Sequence, residues 1–488
     1  MINMTLSGIT KVLQGELFGT DRMVNEVITD SRKLSESEDN SNRLFIALKG
    51  PHFDAHQFLS TLPKNLGGVV VDHQCEVDIP QVIVASTHKA LAELARHNRL
   101  QSNAKVVAIT GSSGKTTVKE MIAAVLTLAG KTLATEGNFN NDIGAPLTLL
   151  RIEQDHQFAV IELGANHEGE IAFTSDITQP DVAMVNNVSE AHLEGFGDIQ
   201  GVARAKSEIY YSLSKDGIAI VNQDEPFAEF FMQRIECPML RFSINQNADV
   251  YADNIVIEEN QAPSFDLHYG EKLKHVELSV VGIHNVANAV AAASCCIALG
   301  ITLDIIVEGL RKASPVPGRL VVNTLPNGCK VIDDSYNANV SSMKAAIDLL
   351  GQFPGKRILV AGDMGELGEQ ARECHEQIGA YAKQVGIEKL FSVGVLTQFT
   401  QRGFHSSDSK ERTEAERHTI NQTHFSQQAE LIKTLKKEAK KGVTILVKGS
   451  RSAHMENIVK ALEESTFDSC NEDQLKGSQS IASLMGDQ

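Results

Sequence analysis

Residues Lys105–Gly130, KVVAITGSSGKTTVKEMIAAVLTLAG, constrain the fold more than any other stretch of the chain. KVVAIT is a short β-branched run and predicts a buried strand. GSSGKTT is a glycine turn. Val118, Met121, Ile122, Val125 and Leu126 then recur at helical spacing. A strand, a glycine turn and a helix start form a phosphate cradle. Glycine lets the backbone approach an anion, and the free N–H groups and positive dipole end of the helix face it. Gly111, Ser112, Ser113 and Gly114 form the turn, Lys115 reaches terminal phosphates, and a hydroxyl of Thr116 or Thr117 is placed to hold Mg²⁺. The general P-loop pattern has a glycine five places before Gly114, where this chain has Ile109, so the loop is a shortened one. An ATP site of this kind leaves open what the ATP is used for.

Length predicts about three domains. A formal net charge of −17 argues against a nucleic-acid or anionic-membrane surface. The seven cysteines contain no CxxC pair and read as reduced thiols of a cytoplasmic protein. The N-terminus lacks a basic region followed by an apolar run, so no signal peptide is expected. No apolar run reaches the ~18–20 residues that span a bilayer. The chain is expected to act as a monomer on small molecules.

Residues 1–84 read as a small α/β unit, with strands at GGVVVD and QVIVAS. Within it Ser31, Arg32 and Lys49 are candidate anion contacts or simply solvated loop residues, the second being the simpler reading. A helix is expected at about Thr87–Arg99. Residues 85–313 read as a central parallel-sheet unit. Strand FAVIE ends at Glu162 and strand VAMV leads to a loop carrying His192, both beyond the carboxyl ends of strands, where ligands of α/β sheets collect. Asn138, Asn140 and Asn141 lie in the loop GNFNND. Lys206 lies on a helix, and Asn285 and Asn288 open another. Residues 314–465 alternate strands and helices, as a doubly wound domain does. The stretch 401–428 is polar and reads as a mobile loop, and 466–488 as a flexible tail.

Several of these residues admit two readings. Lys206 is a phosphate contact or a helix-face salt bridge. Alternatively it carries CO₂ as a carbamate, which converts a cation into an oxygen ligand beside Glu162 and His192 and completes a two-metal clamp. His192 is otherwise a packed or hydrogen-bonded histidine. Asn285 and Asn288 cap a helix or read adenine. Arg319, after a Pro-Gly turn, is a linker charge or reaches the γ-phosphate on domain closure. Asp334 caps a helix or holds ribose or metal. Lys448 and Arg451 are surface charges or bind a carboxylate or phosphate.

The ordered set GSSGKTT, GNFNNDIGAPLTLL, ELGANHEGEI, NNVSEAHLEGFG, AKSEIY, GIHNVANAVAA, PGR, DDSYNAN, GDMGELG and KGSR resembles the Mur ligases, from TDSRKL near the N-terminus to about residue 462. The GNxNNxIGxPLTLL and ELGANHxGEI forms resemble the branch that adds D-alanyl-D-alanine. The DNPR signature usual in the diaminopimelate-adding branch does not occur. The family often has NANP where this chain has Asn337-Ala338-Asn339-Val340, and AKGE where it has Ala205-Lys206-Ser207-Glu208.

The resemblance implies three domains: a small α/β N-terminal domain for the UDP end of the substrate, a central P-loop ATPase-like domain, and a C-terminal Rossmann-like domain that brings in a dipeptide. It implies that Thr116, Glu162, His192 and carbamylated Lys206 serve two Mg²⁺ ions. Lys115, Asn285, Asn288, Arg319 and Asp334 would hold ATP. Asn138, Asn140 and Asn141 would face the muramoyl peptide, and Asn337 and Asn339 the dipeptide. The implied reaction is ligation of D-alanyl-D-alanine (D-Ala-D-Ala) to UDP-N-acetylmuramoyl-tripeptide (UDP-MurNAc-tripeptide) through an acyl phosphate, with ADP and phosphate released. A folylpolyglutamate-synthase-like ligase would share the chemistry on a pterin substrate. A P-loop kinase or nucleotide switch would make no amide.

Overall fold

Val106, Val107, Ala108 and Ile109 have no exposed surface. Their strand, Lys105–Thr110, lies between two parallel neighbours, Phe158–Glu162 and Val182–Val185. A parallel strand covered on both faces needs an unbroken apolar run, which KVVAIT supplies. The computed structural model describes residues 1–35, 37–190, 193–257, 262–405 and 423–464. Over these the protein has three α/β domains, each built on one sheet.

In the central sheet the chain leaves Lys105–Thr110 through the helix Lys115–Ala129 to the outer strand Thr132–Ala134, then returns to Phe158–Glu162. It next crosses to the other side and adds Val182–Val185, Ile218–Asn222 and Met239–Ser243, all parallel. This reversal of winding opens a crevice at the carboxyl ends of the strands, where the glycine turn sits. The helix buries Val118, Met121, Ile122, Val125 and Leu126, the stripe expected from their spacing.

Beyond the parallel strands the sheet continues in a way the sequence did not announce. Val250–Val256 pairs parallel with Met239–Ser243, and Ser264–Tyr269 and Lys272–Glu277 follow antiparallel. Lys272–Glu277 is almost wholly exposed, with only Val276 buried. A strand with one apolar anchor shows too little alternation to be read as one.

The first sheet orders Glu16–Phe18, Gln81–Ile83, Gly68–Val71, Arg43–Ile46 and Glu26–Ile28, with only the first pair antiparallel. One face has a cluster of its own, with Phe45, Leu59, Val69 and Val71, and the other face is shared. Leu6, Ile9, Leu44 and Val70 join Leu91 and Leu94 of the helix Thr87–Gln101 and Val106 and Ile161 of the central sheet in one apolar cluster.

The third sheet runs Val321–Thr324, Lys330–Asp334, Val443–Lys448, Lys356–Gly362, Lys389–Val393 and His424–Phe425, parallel after the first hairpin. Separate apolar clusters cover its two faces. It meets the central domain through Val281, which packs against one of these clusters, and through polar contacts. Asn339 Nδ2 donates to Ser112 O at 3.3 Å, and Glu194 N to Glu366 O at 3.4 Å.

The polar stretch 401–428 is structured at both ends, against expectation. Gln401 belongs to the helix Thr397–His405, and its buried Nε2 reaches Leu390 O at 3.0 Å and Thr423 O at 3.1 Å. A buried amide tying strand to helix reads in sequence as a surface residue. Residues 406–422 and the tail from 465 lie outside the described residues.

The shared core makes a prediction. Leu94→Ala is expected to cost about 2–5 kcal/mol. Amide exchange should then quicken in both Arg43–Ile46 and Phe158–Glu162 while Lys356–Gly362 keeps its protection. Loss confined to the first sheet contradicts a common core.

Candidate active site

The helix Lys115–Ala129 starts on Gly114, whose backbone is left-handed at φ 75°. A β-carbon there would lie 2.7 Å from both Asn186 Nδ2 and Asn288 Oδ1. The turn therefore needs glycine twice over, for conformation and for space. Asn187 shapes the rest of the loop: its carbonyl accepts from Ser112 N at 3.0 Å and its Oδ1 from Ser113 N at 2.8 Å. Lys115 folds back over the turn, its Nζ donating to Gly111 O at 2.6 Å. Burial lowers the pKa of Lys115; Glu162 works against that shift and Arg319 with it.

Glu162 is paired in register with Ile109 and is 2% exposed. Thr116 Oγ1 donates to its Oε2 at 3.0 Å, and Asn140 Nδ2 to its Oε1 at 2.8 Å. Both partners are neutral, so a buried carboxylate stands beside the phosphate loop without direct ionic compensation. Lys206, also 2% exposed, has no carboxylate within ion-pairing distance among the described residues; its Nζ lies 6.0 Å from the Phe196 ring centre. Burial, then the charge of Lys115, holds its ammonium well below the usual lysine range. A hard divalent cation suits this corner: Glu162 and Thr116 offer oxygen. His192 lies outside the described residues.

A cavity of about 290 Å³ opens from the loop between the central and third domains. Thr116, Thr117, Asn285, Asn288, Arg319, Asp334 and Lys448 all line it. The asparagines form a relay: Asn288 Nδ2 donates to Asn285 Oδ1 at 2.9 Å, and Asn186 Nδ2 to Asn288 Oδ1 at 3.2 Å and Ser113 O at 3.0 Å. Lys448 and Asp334 form a buried ion pair at 2.6 Å, with burial pulling each toward its neutral form. Lys448 also donates to Asn337 O at 2.8 Å. It is thus a wall of this cavity rather than the surface charge that was one reading of KGSR.

A second cavity, of about 280 Å³, lies on the other side of Lys115 and Thr116. Asn138, Asn140, Asn141, Glu162, Arg319, Tyr336, Asn337, Glu366 and Arg451 line it. Asn141 also caps the helix Gly144–Leu149, its Oδ1 accepting from Gly144 N at 2.8 Å. Asn339 caps Val340–Gly351 in a capping box with Ser342. Val340 is then the first helical residue, a position that proline also fits, so the NANV form keeps the turn. Arg319 and Arg451 stack on Tyr336, at 4.3 and 5.4 Å from its ring centre.

The first-domain candidates lie apart from this cluster. Ser31 and Arg32 line a cavity of about 540 Å³ with Phe45, Phe53 and Phe58. Arg32 pairs with Asp30 at 2.8 Å. Lys49 pairs with Asp54 at 3.8 Å and is not among that cavity's lining residues.

The sequence reading passed over Asn186, Asn187, His284 and Glu366. The asparagines directly follow a strand end, the signal that singled out Glu162. His284 precedes Asn285, and its buried Nε2 has no hydrogen-bond partner. Burial and the nearby Lys448 hold its pKa down to about 4, so the ring is neutral at pH 7.

Two tests follow. Gly114→Ala is expected to weaken ADP binding at least tenfold by calorimetry with the circular dichroism unchanged; unchanged affinity contradicts the close approach. His284 protonates more readily unfolded than folded, so its depressed pKa subtracts stability as pH falls from about 6.5 to about 4, by up to roughly 3 kcal/mol. Denaturant titrations should show a shallower loss over that window in His284→Asn.

The family model described as "Mur ligase middle domain" matches residues 109–296, and that described as "Mur ligase, glutamate ligase domain" matches 318–451. The UDP-N-acetylmuramoyl-tripeptide–D-alanyl-D-alanine ligase of Escherichia coli (strain K12) is 45% identical over 469 residues, covering 95% of this chain and 99% of that protein. The crystal structure of MurF from Acinetobacter baumannii superposes with a TM-score of 0.85 at 36% identity, over 95% of this chain and 99% of that one. MurF ligase from Thermotoga maritima in complex with ADP superposes with a TM-score of 0.79 at 27% identity, over 91% and 98%. On both matched domains and this near-complete alignment, the chain belongs to the Mur ligase family.

Proposed function

We propose that the protein joins D-Ala-D-Ala to UDP-MurNAc-tripeptide, using ATP and releasing ADP and phosphate, to give UDP-MurNAc-pentapeptide, a peptidoglycan precursor. One observation carries the reading: a phosphate loop with cavities on both sides has a buried carboxylate, Glu162, lining one of them and a buried lysine, Lys206, within reach of the Lys115 charge. One cavity suits a nucleotide and the other an acid with an incoming amine. The named relatives at high identity support the same substrates.

In this reading Lys115, Asn285, Asn288 and Asp334 hold ATP, and the N–H groups at the helix start face its phosphates. Mg²⁺, held by Thr116, Glu162, His192 and Lys206, supplies neutralisation of the phosphate charge when bound. Lys206 serves it as a carbamate. A buried neutral amine is the form that combines with CO₂: its lone pair forms the N–C bond, one N–H proton is lost to solvent, and the product is an anionic oxygen ligand. Lys115 and Arg319 orient the γ-phosphate toward the peptide carboxylate, whose attack gives an acyl phosphate and ADP. The dipeptide amine then attacks the acyl carbon and phosphate leaves. The third domain, carrying Arg319, Asn337, Asn339, Lys448 and Arg451, excludes water from the reactive anhydride. Asn138, Asn140 and Asn141 face the peptide acceptor, and Ser31, Arg32 and Lys49 the UDP end. Residues 1–84, 85–313 and 314–465 act as UDP-binding, ATP-binding and dipeptide-binding domains of a cytoplasmic monomer. No helix among the described residues is long and apolar enough to cross a membrane.

The test is incubation with UDP-MurNAc-tripeptide, ATP, Mg²⁺ and D-Ala-D-Ala, with the product weighed by mass spectrometry. A pentapeptide product that requires all reactants is expected; phosphate release without the amine or the acid contradicts the ligase reading. Lys206→Ala should lose at least ~100-fold in rate, a loss that short carboxylic acids restore in part. A ¹³C carbamate resonance should appear in the wild type under labelled CO₂ and vanish in the variant. Full activity of Lys206→Ala contradicts the carbamate.

A further inference from the structure

We infer that Glu366 is the seat of the incoming ammonium group and so selects an amine as the acceptor. The inference rests on the ligase reading above. At neutral pH an α-amino group enters largely protonated, its ordinary pKa being about 8. It must reach a site whose walls carry Lys115, Arg319 and Arg451. A cation moving into that field needs a counter-charge close to where the acyl carbon will stand.

Three carboxylates line the acceptor cavity: Glu162, Glu170 and Glu366. Glu162 is engaged by Thr116 and Asn140 and faces the metal corner. Glu170 opens the helix Glu170–Thr178 and does not line the small cavity over the phosphate loop. Glu366 alone also lines the small cavity directly over Ser112–Thr116, where it is the one acidic residue among those described. It is near enough to Lys115 to offset part of that lysine's depression by burial.

Its backbone supports the assignment. Glu366 is held left-handed at φ 63°, a conformation that is strained for a non-glycine residue and gathers at functional sites. Its carbonyl accepts from Glu194 N of the central domain at 3.4 Å, so its position over the loop depends on the two domains meeting. Glu366 and Arg451 share the cavity of about 280 Å³. A carboxylate and a guanidinium in one chamber match a zwitterion: the ammonium of a dipeptide against Glu366 and its carboxylate against Arg451. In the bond-forming step the amine, having lost one proton to solvent, gives its lone pair to the acyl carbon. The C–O bond to phosphate breaks, and the second proton leaves with the phosphate.

The test uses Glu366→Gln and Glu366→Asp in the full-length protein with two acceptors. One is D-Ala-D-Ala. The other is hydroxylamine, a small amine already neutral at pH 7, which traps the acyl phosphate as a hydroxamate. Glu366→Gln is expected to raise KM for D-Ala-D-Ala at least tenfold and to leave hydroxamate formation and KM for ATP within threefold. Glu366→Asp, which sets the charge one methylene back, should fall between. The wild type should bind D-Ala-D-Ala more tightly than D-lactoyl-D-alanine, which has a hydroxyl in place of the ammonium, and Glu366→Gln should lose that preference. An unchanged KM for D-Ala-D-Ala overturns the assignment. So does a parallel fall of hydroxamate formation, which would place Glu366 in phosphoryl transfer or in folding. A wild type that forms neither amide nor hydroxamate refutes the ligase reading instead.

Discussion

The site depends on a buried carboxylate, Glu162, and a buried lysine, Lys206, each close enough to Lys115 of the phosphate loop for their charges to interact and neither in an ion pair among the described residues. Glu162 is shut away with a hydroxyl and an amide as its direct partners, and Lys206 is shut away with an aromatic ring. Isolated charges in a protein interior are expensive, and proteins keep them where a ligand supplies the missing charge. A divalent cation and a γ-phosphate arriving together supply both signs. In the proposed reading, the helix start at Gly114 and the cations Lys115 and Arg319 then complete a corner that favours a phosphoryl group in flight over either stable end state.

The packing ties the three domains together unequally. The first and central domains share an apolar cluster, which couples their stability. The third domain has apolar clusters of its own, with Val281 of the central domain packed against one, and it touches the phosphate loop through Asn339 and the helix Leu193–Phe196 through Glu366, by hydrogen bonds that water can replace. Polar interfaces between domains favour relative motion. Amide ligation through an anhydride needs that asymmetry: a firm floor for the nucleotide and acid, and a cover that seats the amine and excludes water.

Much of the architecture was legible in the chain. The strand Lys105–Thr110 and its helix could be read because a central parallel strand must be apolar throughout and the helix shows one stripe. Glu162 could be read because it ends such a strand. Other features were not legible, for physical reasons. Lys272–Glu277 is an exposed strand whose order comes from its neighbour's hydrogen bonds, not from buried side chains. Gln401 and Lys448 are polar residues buried by tertiary partners that no local pattern reveals. His284 was hidden behind the more conspicuous Asn285, and Glu366 sits in a glycine-flanked turn that reads as a loop. The ordered motifs carried the family, because ten short signatures in one order specify more than any one of them does.

The central claim is that this site makes a carboxylate reactive by phosphorylating it. The most direct test labels the terminal carboxylate of UDP-MurNAc-tripeptide with ¹⁸O and weighs the inorganic phosphate released during ligation. The account predicts one ¹⁸O atom carried into each phosphate, because the carboxylate oxygen that attacked the γ-phosphate departs with it. Phosphate free of label, formed alongside amide product, would mean that the carboxylate was never phosphorylated.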